Sequence, residues 1–174
     1  MGRSDEIPGR GSIEKMNETY IRILIDSLEQ KNSILDQVMI LDQAQTKIVS
    51  DPNPDLNELD QNAREIGELA EKLNLLDNGF EKVYAHVREE LSNNRESHRD
   101  EILRLKELIS EVTEKSVKIQ AEEAMNRDRA KRCFDEKRKS IGGKRKSVNA
   151  ASAYSMNMRS AAGRGDSFFL DKTK

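Results

Sequence analysis

The chain has 174 residues, of which 36% are charged, 35% hydrophobic and 4% aromatic, and it contains no Trp. This composition excludes a thick globular core and favours long helices that each bury a narrow apolar stripe. No apolar run approaches the roughly 18 residues that cross a bilayer, and the N-terminus has no signal-peptide apolar region. The single cysteine, Cys133, cannot form an internal disulfide, so a reduced, cytoplasmic setting is expected.

The charge is unevenly distributed along the chain. Residues 1–130 hold 18 Lys and Arg against 28 Asp and Glu, a net charge of −10, whereas residues 131–174 hold 12 against 4, a net charge of +8. An acidic body therefore carries a basic C-terminal segment.

The first helix is predicted over residues 17–50. Residues 1–15 are polar and Gly-rich, so we expect a disordered leader or a misplaced start and give them no functional weight. Apolar residues then recur at steps of three and four, with a polar interruption at Lys31-Asn32, as in a helix that buries one face. They include Ile21, Leu24, Ile25, Leu28, Leu35, Val38, Met39, Leu41 and Ile48.

A proline-containing break leads into a second helix, predicted over residues 54–93. Pro52 and Pro54 prevent the first helix from continuing, and we expect Asn53 to be the N-cap, with Pro54 as the first helical residue. Asn78-Gly79 is a turn signal within this segment. The apolar stripe keeps its phase across it, from Leu76 through Phe80 to Val83, so the helix is predicted to continue and Gly79 to cost about 1 kcal/mol relative to Ala.

A third helix is predicted over residues 97–139. Asn93-Asn94 can end the second helix, and Ser97 with Asp100 resembles a capping box before Ile102. Gly142-Gly143 marks the end of the helical segment. Residues 140–174 are rich in Ser, Gly, Ala, Asn, Lys and Arg and are predicted to be disordered. The expected fold is an all-α, elongated antiparallel three-helix coiled-coil bundle, residues 16–139, with a disordered basic tail.

The sequence offers no arrangement typical of an enzyme. His86 and His98 are far apart, no Cys or His cluster has metal-ligand spacing, and no glycine-rich phosphate loop is present, so neither catalysis nor a cofactor or metal is expected. Basic clusters within residues 131–146 suggest binding to nucleic acid or to an anionic membrane surface, or a solubilising helix end. Because almost no aromatic residues lie among these charges, nucleic-acid binding is not expected.

The expected interaction sites lie on the third helix and in the tail. Two helices of 35 to 40 residues should leave part of the third uncovered, and an uncovered seam can accept a partner helix. The candidate contacts on this seam are Val112, Ile119 and Met125. In the tail, Phe168, Phe169 and Leu170 form an apolar tripeptide that could be a docking element.

Two long segments and the C-terminus resemble a known family. The segments are LIDSLEQKNSILDQVMILDQAQTKIV, residues 24–49, and DLNELDQNAREIGELAEKLNLLDNGFEKVYAHVREEL, residues 55–91. With the ending FFLDKTK they resemble FlgN-type flagellar export chaperones, over roughly residues 20–119 and the last few residues. LDNGFEKVY, residues 76–84, is the most distinctive part, whereas the long basic linker and the Met-containing tail depart from the family pattern.

The resemblance implies a function in flagellar assembly. Such a cytoplasmic chaperone binds the terminal helices of hook–filament junction proteins and prevents their premature assembly before export through the flagellar type III apparatus. Two alternatives remain. One is a chaperone for another flagellar substrate, such as the filament cap, and the other is a structural coiled coil that forms homodimers or larger homo-oligomers.

Overall fold

The computed structural model describes residues 9–141, which form three long α-helices. These are α1 (Arg10–Ser50), α2 (Leu56–Asn93) and α3 (Arg99–Ile141). The prediction of an all-α, elongated three-helix bundle is confirmed. Residues 142–174, with most of the predicted tail, lie outside the described residues.

The helix starts differ in detail from those predicted. α1 begins at Arg10, so residues 10–15, which we had assigned to the leader, are helical. The N-cap of α2 is Asp55 and not Asn53, because the Asp55 carboxylate accepts hydrogen bonds from the backbone N–H groups of Asn57 and Glu58. A carboxylate here also interacts favourably with the positive end of the helix dipole. Pro54 therefore precedes the helix and is buried.

The α2 helix runs without interruption through Asn78-Gly79. A methyl group added at Gly79 would meet no other atom within 4 Å. The glycine is therefore neither a turn nor a point of close helix approach. The prediction that the helix continues is confirmed.

A five-residue connection, residues 94–98, joins α2 to α3, so the break expected near Asn94 is present. The Nε2 atom of His98 lies 3.0 Å from Oε1 of Glu90, and the Asn94 side-chain amide donates to the other Glu90 oxygen at 3.0 Å. These two hydrogen bonds lower the pKa of Glu90, and the one from His98 has the larger effect. His98, and not the predicted Ser97, is the residue that precedes α3. Its carbonyl accepts a hydrogen bond from the N–H of Ile102.

α1 is the central helix of the bundle. It packs closely along both α2 and α3, which approach each other less closely. Asn62 of α2 bonds to Leu41, which fits an antiparallel neighbour. α3 runs parallel to α1, with Arg104 paired to Glu29. Two further contacts join α1 to α3. The Asn32 amide donates a hydrogen bond to Glu111 at 2.7 Å, and Lys115 forms an ion pair with Asp36 at 2.6 Å.

The buried face of α1 follows a heptad pattern from Ile21 to Val49. Its steps alternate between three and four residues, the spacing of a left-handed coiled coil. The polar interruption predicted at Lys31 does not break this pattern, because Lys31 is itself buried and bonds to Asp77 of α2. The buried residues of α1 are Ile21, Leu24, Leu28, Lys31, Leu35, Val38, Asp42, Gln45 and Val49.

The apolar core falls into three clusters along the bundle. The turn cluster, near the α2–α3 turn, contains Ile21, Leu24, Leu28, Phe80, Tyr84, Val87, Leu105 and Leu108. The central cluster contains Leu35, Val38, Ile66, Leu69, Ala70, Leu73, Val112 and Ile119. The distal cluster, near the α1–α2 loop, contains Val49, Leu59 and Phe134.

Candidate partner-binding surfaces

The structure places two of the predicted contact residues in the core. Val112 is 7% exposed and Ile119 is 1% exposed, and both belong to the central cluster. The expectation that they lie on an uncovered seam is wrong. The ion pair between Lys115 and Asp36 places this part of α3 beside the middle of α1, where α1 and α2 both cover it. Ile13 and Met16, near the start of α1, are exposed.

The third predicted contact, Met125, is at the surface, where 46% of it is exposed. Val117, Ala121 and Ala124 are exposed as well, at the three- and four-residue spacings that place side chains on one side of a helix. We call these four residues the Met125 face. Its alanines are small, so a partner helix could approach the α3 backbone closely. The sequence analysis named Met125 of this face as a contact but not Val117, which lies outside the longer apolar stripe of α3.

A second apolar surface, which the sequence analysis did not predict, lies between α1 and α2. It is an open groove of about 350 Å³, and its rim includes Ile23 and Leu75, the latter 71% exposed. Gly79 helps to form the groove, and its missing side chain widens it. Ile23 and Leu75 are apolar residues beside the buried stripes, and that position was the signal that could have revealed the groove. The other lining residues are Asp26, Ser27, Gln30, Leu76, Phe80 and Val83.

A buried polar layer separates the central cluster from the distal cluster. The Asn126 side chain, 1% exposed, donates to the backbone carbonyl of Asp42 at 3.2 Å, and its oxygen lies 3.0 Å from the Thr46 hydroxyl. Thr46 is also within hydrogen-bond distance of Glu122. From α2, the Asn62 amide donates to the Leu41 carbonyl at 2.9 Å. The buried members of the layer are Asp42, Gln45, Asn62, Glu123 and Asn126.

Such a layer favours one register of the three helices. Sliding a helix by a turn would separate the Asn62 and Asn126 amides from the carbonyls that accept their hydrogen bonds, at a cost of about 1 to 3 kcal/mol for each. The layer contributes less apolar burial than leucines would, so it makes the bundle specific rather than maximally stable.

The described residues show no site with an evident chemical activity. Residues 9–141 include no group of His, Cys, Asp and Glu side chains placed to hold a metal ion. Burial raises the pKa of the Cys133 thiol, which disfavours the nucleophilic thiolate. Within the same residues no helix combines the length and apolar character that a bilayer-crossing segment needs.

Part of the predicted basic region is seen at the end of α3. Lys137 is partly buried and donates from its Nζ atom to the Pro54 carbonyl at 3.2 Å, so it ties the end of α3 to the α1–α2 loop. Lys131 and Arg132 are exposed. The remaining basic cluster, residues 144–146, and the predicted docking tripeptide Phe168–Leu170 lie outside the described residues.

Comparison with known proteins identified no relative of this chain. No family model, no curated protein and no solved structure matches this chain.

Proposed function

We propose that this chain is a cytoplasmic flagellar export chaperone that binds terminal helices of hook–filament junction proteins. The observation that carries the proposal is the Met125 face, an exposed apolar strip on a helix whose other side is packed in the core. The resemblance noted in residues 24–49 and 55–91, which form most of α1 and α2, supports the same function. The proposed activity is reversible binding without covalent chemistry, with the export machinery as a further partner.

Helix-to-helix docking is the binding mode that suits this surface. A cargo helix would place its apolar residues against Val117 and Met125 and approach closest at Ala121 and Ala124. A chaperone must release its cargo, so we expect a dissociation constant in the micromolar range, about −8 kcal/mol.

The test is calorimetric titration of the full chain with terminal helical segments of the same organism's hook–filament junction proteins. We expect micromolar binding that Val117→Asp combined with Met125→Asp abolishes. Leu103→Asp is the matched control, because Leu103 is also an exposed apolar residue of α3 but lies far from the Met125 face. Absence of heat with every junction segment would overturn the proposal, and binding of a filament-cap segment alone would reassign the cargo.

A homo-oligomeric scaffold is the second candidate, and the α1–α2 groove favours it. Leu75 and Ile23 could insert into the same groove of a second copy, as in a symmetric dimer. Light scattering at micromolar concentration tests this directly. A dimer that Leu75→Asp converts to a monomer would support the scaffold, whereas a wild-type monomer would dismiss it.

A further inference from the structure

The C-terminal part of α3 buries fewer apolar side chains than the part before it. Between Leu105 and Ile119, four apolar residues of α3 are buried. Among the described side chains after Ile119, Phe134 is the only buried apolar residue of α3, with Ala130 packed beside it. We call residues 127–141 the α3 arm.

The polar layer separates the arm from the main core. Asn126 and Asp42 stand between the central and distal clusters, so the apolar contacts of Phe134 are not continuous with those of Ile119. A segment with few buried apolar contacts opens locally at a lower free energy than the core helices do. Opening of the arm leaves the turn and central clusters intact and uncovers Val49 and Leu59 of the distal cluster.

The charges of the arm and of the surface it covers are complementary. The arm contains seven Lys and Arg against three Asp and Glu, a net charge of +4. The adjoining end of the α1–α2 hairpin, residues 42–68, contains two Lys and Arg against seven Asp and Glu, a net charge of −5. The contact from Lys137 to the Pro54 carbonyl lies where these two regions meet.

We infer that the distal end of the α1–α2 hairpin is a second binding surface, which takes a basic amphipathic helix of a partner protein in place of the α3 arm. The occupant needs an aromatic or large aliphatic residue at the position of Phe134, to pack on Val49 and Leu59. It also needs Lys or Arg on its flanks, because the surrounding hairpin surface is acidic. This inference is independent of the Met125 face and goes beyond the function proposed above.

Hydrogen exchange of the wild-type chain tests the opening step. We expect backbone amides of residues 127–139 to exchange at least ten-fold faster than those of residues 105–119 at neutral pH. Equal protection of the two segments would overturn the inference, because the arm would then open only with the whole bundle.

A fluorescent peptide with the sequence of residues 123–141 tests the surface itself. We expect the peptide to bind Phe134→Ala at least ten-fold more tightly than wild type, because the arm of that variant is loosened. The affinity should fall as salt is added. A peptide carrying Asp at the Phe134 position should not bind. Leu103→Ala, at an exposed position of α3 outside both proposed surfaces, is the matched control and should bind the peptide as wild type does.

Two results would contradict the assignment to a partner protein. One is the failure of the peptide to bind Phe134→Ala while exchange in residues 105–119 shows that this variant is folded. The other is a wild-type dimer formed by exchanged arms, seen by light scattering and lost in Phe134→Asp, because a second copy would then be the occupant.

Discussion

The ammonium group of Lys31 lies 2.7 Å from the carboxylate of Asp77, and both side chains are almost fully withdrawn from water. The pair joins α1 to α2 at a heptad position that would otherwise hold an apolar residue. Removing one partner from a buried pair leaves an uncompensated charge, whereas replacing both with apolar residues can be neutral.

We therefore predict that Asp77→Leu destabilises the bundle by about 3 kcal/mol. The double change Lys31→Met with Asp77→Leu should recover most of that loss. Urea denaturation of the wild type, both single variants and the double variant measures the coupling. Additive effects of the two single changes would show that the residues do not interact in solution.

Replacing Gly79 is expected to stabilise the chain. A methyl group there meets no atom within 4 Å, and the residue is in the middle of a helix. Gly79→Ala should therefore stabilise the chain by about 0.5 to 1 kcal/mol, because alanine loses less backbone entropy on folding. Ala85→Gly, at an exposed position of the same helix, is the control and should destabilise by a similar amount. A destabilising Gly79→Ala would indicate close approach by another molecule in the groove.

The N-cap of α2 can be tested by comparing two neighbouring residues. Asp55→Ala removes the side chain that accepts from two backbone N–H groups and should cost about 1 kcal/mol. Asn53→Ala should change stability little, because Asn53 uses its backbone N–H, not its side chain, in its bond to Asp51. Thermal unfolding of the two variants decides between Asp55 and Asn53 as the cap, and a larger effect of Asn53→Ala would contradict the structure.

Acid should weaken the α2–α3 turn through Glu90. The pKa of this carboxyl is lowered in the folded chain by hydrogen bonds from His98 and Asn94. Its stabilising contribution is therefore complete above the unfolded pKa of about 4.3, and it is lost as the pH falls through the lower folded value. The stability difference between wild type and Glu90→Gln should shrink when the pH is lowered from 6 to 3. A constant difference across that range would show that Glu90 keeps an ordinary pKa.

The helices could be predicted from sequence because their signals are local. A three- and four-residue apolar spacing identifies each helix, and Pro52, Pro54 and Asn94 identify the breaks. The apolar stripe also keeps its phase around Gly79, and this indicates a continuous helix despite the turn signal of Asn78-Gly79. These patterns require no knowledge of which helix faces which.

The contact surfaces could not be predicted in the same way, because they depend on how far one helix is shifted along another. The pairing of Lys115 with Asp36 shows the stagger between α3 and α1, and with that stagger Val112 and Ile119 are buried. Nothing in the sequence near Val112 indicates this stagger. The sequence likewise shows Lys31 only as an interruption of the stripe, because its partner, Asp77, is 46 positions away.

The parallel pairing of α1 with α3 also has a kinetic consequence. The bond between Asn62 and Leu41 spans 21 positions, whereas the contacts of Arg104 with Glu29 and of Asn126 with Asp42 span 75 and 84. Closing the longer loops costs more chain entropy, so the α1–α2 hairpin should form first. On the ribosome, the side of α1 that α3 will cover therefore stays open to solvent until α3 has been synthesised.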